Sequence, residues 1–101
     1  MTNYKQRQGV IYKITYKKNI IYIGRSLDYQ TRLRAYKSKI YDKTAVSYNN
    51  KLYKFMRENK CTIQIIKRFK INSEKDYANF KQSEKSYIQI HNPPLNTHKA
   101  Y

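Results

Sequence analysis

Two short runs rich in β-branched and aromatic residues, GVIYKITY at 9–16 and IIYIG at 20–24, stand only three residues apart. Such runs read as strands. The Lys17-Lys18-Asn19 stretch between them makes a hairpin, with Asn19 the residue that best tolerates the left-handed backbone such turns need. If the hairpin pairs residue 14 with residue 22, Tyr12 and Tyr22 share one face of the sheet as diagonal neighbours, within side-chain reach. A shift of one residue would put them on opposite faces.

After Gly24 the period changes. Tyr29, Leu33, Tyr36 and Ile40 recur at helical spacing, with Ser26 or Asp28 as the cap. Residues 41–48 read as a polar loop. A second helix is predicted from about Asn50 to Asn59, burying Leu52, Tyr53, Phe55 and Met56. Residues 62–69, TIQIIKRF, form a third strand. Ser73 followed by Asp76 resembles a capping box, and Glu74 is favourable in the first turn. The helix that follows runs to about Ile90 and is stopped by His91-Asn92-Pro93-Pro94. The order ββααβα predicts an α+β fold, one three-stranded antiparallel sheet flanked by helices.

A length of 101 residues predicts one domain. The lone cysteine, Cys61, cannot close an internal disulfide and no Cys/His cluster has zinc spacing, which fits a reducing intracellular compartment. Cys61 itself reads as structural or incidental. No apolar run approaches the ~18 residues of a membrane span, and Met1 to Gln8 is too polar for a signal peptide. The charge is more informative: 22 basic against 6 acidic residues give a formal +16. Solubility alone asks for a magnitude of only about 2 to 8. So large an excess points to a polyanionic partner, nucleic acid before anionic membrane or heparin. A highly charged chain can also be disordered, but 12 tyrosines and 3 phenylalanines supply a core.

The acids are few enough to be weighed singly. Asp28, Glu74 and Asp76 serve helix starts, Asp42 lies in the polar loop, and Glu58 sits near a helix end. Glu84 differs. At about 100° per residue it falls in the middle of the stripe formed by Tyr77, Phe80, Tyr87 and Ile88. A carboxylate there is costly unless paired or bound to metal. Three explanations stay open: a metal ligand, a salt bridge to a buried arginine, or a carboxylate that reaches the stripe's edge. Arg32 and Tyr36 share a helix face at i, i+4. Arginine at that margin can grip a phosphate bidentately, or be an ordinary surface charge. Tyr12 and Tyr22 can position a phosphate, or simply pack.

Together these residues resemble the GIY-YIG nuclease superfamily. Val10-Ile11-Tyr12, Tyr22-Ile23-Gly24 and Arg32 are similar to its opening motifs; Glu84, Tyr87-Ile88 and Leu95-Asn96 are similar to its closing ones. The stretch Tyr22 to Tyr36 is closest to the UvrC-like branch. The resemblance covers residues 9–97 and implies a metal-dependent DNA endonuclease. It implies Glu84 as the ligand of one Mg²⁺ or Mn²⁺ ion, Tyr12 near the attacking water, Tyr22 orienting water or phosphate, and Arg32 holding the scissile phosphate. Tyr36 takes a position that is histidine in some members, Arg25 one that is lysine in the UvrC-like branch. Asn96 would tie the C-terminal segment to the active centre. Arg25, Arg34 and Lys37 are the expected DNA contacts. The sequence departs where Val10 stands for glycine, where Ser47 or Tyr48 lies near a loop histidine of other members, and where Leu95 replaces a common tyrosine.

The mechanism expected from this is in-line attack by water, leaving 5′-phosphate and 3′-hydroxyl ends. Tyr12, its pKa lowered by Arg25 or the local basic field, would help deprotonate that water. His91 and His98 are alternative bases that match no motif. The rival readings are a catalytically inactive basic nucleic-acid-binding module and a structural, ribosome-associated basic protein. One active centre cuts one strand, so a double-strand break would need a homodimer or two successive events.

Overall fold

The computed structural model describes residues 7–96. Strand β1 (Arg7–Tyr16) pairs antiparallel with β2 (Asn19–Ser26), and Ile14 faces Tyr22, the register that puts Tyr12 and Tyr22 on one face. The turn is tighter than expected. Lys17 and Lys18 alone connect the strands, at φ of 49° and 69°, while Asn19 already pairs with Tyr16. The left-handed positions therefore fall on two lysines and not on Asn19. A two-residue loop with both residues left-handed matches the strand twist, and the register that buries one face of the hairpin overrides local preference. Left-handed backbone costs an L-residue roughly 1–2 kcal/mol. Replacing Lys17→Asn with Lys18→Gly is expected to raise the unfolding free energy by about 1–2 kcal/mol, read from urea midpoints at constant m-value. An unchanged midpoint would contradict this account of the turn.

Strand β3 (Thr62–Ile71) pairs with the other edge of β1, giving the order β2-β1-β3. Alternation along β1 sends Val10, Tyr12 and Ile14 to one face and Ile11 to the other. Helix α1 (Tyr29–Ser38) and helix α2 (Lys51–Glu58) cover the first face, through Tyr36, Leu52 and Tyr53. Helix α3 (Glu74–His91) covers the second, through Phe80 against Ile11, Ile23 and Ile71. The architecture is thus α+β in the order ββααβα.

The caps explain the helix limits. Asp28 accepts from Thr31 N–H at 3.1 Å, Asn50 from Leu52 N–H at 2.8 Å, and Ser73 from Asp76 N–H at 3.1 Å. Asn92, left-handed at φ 44°, ends α3. Two expectations are corrected. Helix α1 stops at Ser38, and Ile40 is buried from a 3-10 turn, Lys39–Tyr41. The expected polar loop contains another, Val46–Asn49. Arg57 orders both. It donates to the carbonyls of Ile40 and Tyr48, and its guanidinium lies 3.8 Å from the Tyr48 ring centroid. Among the described residues no helix is long and apolar enough to cross a membrane.

Candidate active site

Tyr12 and Gly24 are partners across the hairpin. The Tyr12 ring lies so close over Gly24 that a Cβ there would meet its hydroxyl at 2.6 Å and Cζ at 2.7 Å. Glycine at 24 is what lets the ring lie across β2. The Tyr22 ring follows diagonally, 6.5 Å away between centroids, and Tyr29 adds a ring at 5.8 Å. The Tyr12 hydroxyl shares a 2.6 Å hydrogen bond with that of Tyr36 on α1.

One residue past Gly24 the strand presents its opposite face. There Arg25 forms an ion pair with Glu84 of α3. Glu84 is 3 % exposed and Arg25 30 %. The salt bridge that the periodicity left open is therefore present, to an arginine that is only partly buried. Tyr77, two helical turns before Glu84, also favours the charged form of Arg25. Burial disfavours the Arg25 charge, but Glu84 and Tyr77 outweigh it and raise the guanidinium pKa above its usual value.

The two faces meet where β2 runs into α1. Tyr12, Tyr22, Arg25, Arg32, Tyr77 and Glu84 line a cleft of about 350 Å³ together with Ser26, Leu27 and Phe80. Two arginines against one carboxylate make the cleft cationic. Ser26 is buried and accepts from Asp28 N–H at 3.0 Å, which fixes the bend. Among the described residues no three His, Cys, Asp or Glu side chains gather as a metal cluster.

Not every expected residue reaches the cleft. Asn96 lies on the outer edge of β2, where its side chain accepts from Ile23 N–H and donates to Ile23 C=O, both at 2.8 Å. Leu95 N–H reaches Ile21 C=O at 2.9 Å. The pair covers part of an otherwise open strand edge and holds the strand that carries Tyr22 and Arg25. Arg34 is exposed and donates to Thr31 Oγ1 at 3.3 Å. Lys37 lines a separate groove with Leu33, Ile40 and Met56. His91 stacks on Tyr87 at the far end of α3, with centroids 6.5 Å apart, and His98 lies outside the described residues. Cys61 is half-buried, and burial pushes its thiol pKa up. Tyr77 was missed as a site residue. Its i, i+7 spacing to Glu84 was the available signal, but the same spacing serves the core.

The expected lowering of the Tyr12 pKa is reversed. Burial, then Tyr36, push it well above the ordinary tyrosine value, with Arg32 opposing only weakly. Tyr12 is 2 % exposed, so the phenolate would lose nearly all its water. Burial likewise raises Tyr36, to about 12. Both hydroxyls are neutral near pH 7, and Tyr12 is no ready base. On alkaline titration the unfolded chain releases these protons first, near the ordinary pKa of 10. The contribution of the pair is constant with pH below about pH 9, and stability falls above pH 10, by up to about 1.4 kcal/mol per pH unit for each tyrosine. Tyr36→Phe should remove one such slope between pH 10 and about 12, read as urea midpoints against wild type. A wild-type–variant difference that stays constant with pH would refute it.

Comparison of the chain with family models, with curated proteins and with solved structures finds no match in any of the three.

Proposed function

We propose that this chain is a GIY-YIG-type endonuclease that hydrolyses DNA phosphodiesters with one divalent ion. The observation that supports it is the convergence of Tyr12, Tyr22, Arg25, Arg32 and Glu84, from β1, β2, α1 and α3, on one small cationic cleft. These are residues that the motif resemblance singles out from the sequence alone.

Arg32, exposed on α1 at the mouth of the cleft, grips the scissile phosphate and offsets the charge that grows on it. Tyr22, half-buried, orients the attacking water or a phosphate oxygen. Tyr12 works as a neutral hydroxyl, polarised through its bond to Tyr36, and takes no proton for itself. Asn96 is a positioning residue that keeps β2 in place.

The donor set fits a hard cation only in company with substrate. Among the described residues Glu84 is the one carboxylate lining the cleft, and Mg²⁺ commonly takes one or two carboxylates, water and phosphate oxygens. Bound there, the ion would stabilise the leaving 3′ oxygen. In the free protein Arg25 competes for the same carboxylate. An entering phosphate gives Arg25 an alternative partner. Arg25→Gln is therefore expected to tighten Mn²⁺ binding to the DNA-free protein by about tenfold, the equivalent of ~1.4 kcal/mol. Water-proton relaxation measures it, and equal affinities would remove the competition from this account.

The Arg25–Glu84 pair is also what favours the second reading, an inert nucleic-acid-binding module in which Glu84 only anchors α3. A 5′-labelled duplex separates the two. The nuclease reading expects metal-dependent fragments with 3′-hydroxyl and 5′-phosphate ends, none in EDTA. Binding with no fragments in Mg²⁺ or Mn²⁺ favours the module.

A further inference from the structure

Helix α3 packs on its face of the sheet through Phe80. Phe80 packs on Phe69 of β3, with centroids 5.2 Å apart, while His91 and Asn92 line a depression beside Ile20 and Ile21 of β2. One corner of that face, where β1 ends and β3 begins, is left uncovered. In the register Lys13 pairs with Gln64 and Thr15 with Thr62, and all four line a concavity of about 420 Å³. Lys17 and Lys18 of the turn and Lys60 before β3 complete its rim.

Among the described residues the lining contains four ammonium groups, polar Thr and Gln side chains, one apolar residue, Ile20, and no acid. Lys13 is half-buried and has no carboxylate partner among the described residues. Lysines kept for solubility stand apart, or alternate with acids; like charges gathered in one hollow repel. A bound polyanion removes that cost. The corner and the cleft share no lining residue. From Ile11, which faces Arg25, to Tyr16 at the end of β1 is five residues, roughly 17 Å at 3.3 Å each, and Lys17 lies beyond it in the turn. No single phosphate bridges that span. A duplex covers it in about five base-pair steps of 3.4 Å.

We propose that this lysine corner is a second, non-catalytic contact for the phosphate backbone of DNA, holding the duplex at a distance from the cleft. The distance argument rests on the nuclease reading, which places DNA in the cleft; binding at the corner needs no cleavage. The test is fluorescence anisotropy of a 20-base-pair duplex in EDTA, across a range of KCl. It compares wild type with the triple variant Lys17→Gln, Lys18→Gln, Lys60→Gln. A control triple, Lys43→Gln, Lys54→Gln, Lys75→Gln, removes the same charge from other exposed positions. Every phosphate that is no longer neutralised lowers the slope of log K against log salt by about 0.9. The slope should fall by about 2 to 3 in the corner variant and by less than 1 in the control, with both retaining the wild-type circular dichroism spectrum. Equal falls in the two variants, an unchanged slope in the corner variant, or binding of heparin without binding of duplex would overturn the proposal. A corner variant that behaves as expected in a protein that never cuts DNA would leave the contact standing and remove the nuclease reading.

Discussion

Glu84→Gln is expected to leave a folded, DNA-binding protein whose cleavage rate is lower by about 10³-fold or more. Glutamine keeps the volume and one acceptor oxygen toward Arg25, and removes only the charge. The stability loss should stay below the roughly 3–5 kcal/mol of breaking a fully buried pair, because Arg25 is 30 % exposed and can turn toward solvent. Urea midpoints, anisotropy in EDTA and cleavage at saturating protein separate the three quantities. A variant that cuts within about tenfold of wild type would take Glu84 out of the chemistry and leave it as an anchor for α3.

Gly24→Ala should damage stability and site together. Its Cβ would lie 2.6 Å from the Tyr12 hydroxyl and 3.0 Å from Tyr22 Cε2. Tyr12 is almost wholly buried and bonded to Tyr36, so the ring cannot swing clear without disturbing α1. Overpacking of this kind costs about 1–3 kcal/mol, and misplacing a reacting group by an ångström costs about 10² in rate. Gly9→Ala is the control. There a Cβ meets the Phe80 ring at 2.8–2.9 Å, in the other core cluster. The expected stability loss is similar, about 1–3 kcal/mol, but Tyr12 stays in place and cleavage per folded molecule falls far less. Equal losses of cleavage in the two variants would show that Gly24 matters only for folding.

What could be read from the sequence was local. The hairpin itself followed from residue type and spacing, as did the cap Ser73 and, as one of two candidates, Asp28. Periodicity put Glu84 on a buried stripe. What stayed hidden was decided at long range. The partner of Glu84 is 59 residues away in the chain, and no pattern within a helix can name it. Lysines carry no turn signal, so the left-handed Lys17-Lys18 pair became visible only once both strands had fixed the register. The 3-10 turns around residue 40 and before α2 depend on Arg57, beyond both. The pKa of Tyr12 was misjudged for the same reason. A count of nearby cations suggests a lowered value, whereas the closure of α1 over the sheet removes the water a phenolate needs.

The most direct test of the central claim uses the wild-type protein and supercoiled plasmid at low salt, with Mg²⁺, with Mn²⁺, or with EDTA. The account predicts open-circular and then linear DNA wherever metal is present, and intact plasmid in EDTA. Plasmid that stays supercoiled with both metals, under conditions in which the protein demonstrably binds it, would contradict the assignment of this cleft as a nuclease centre.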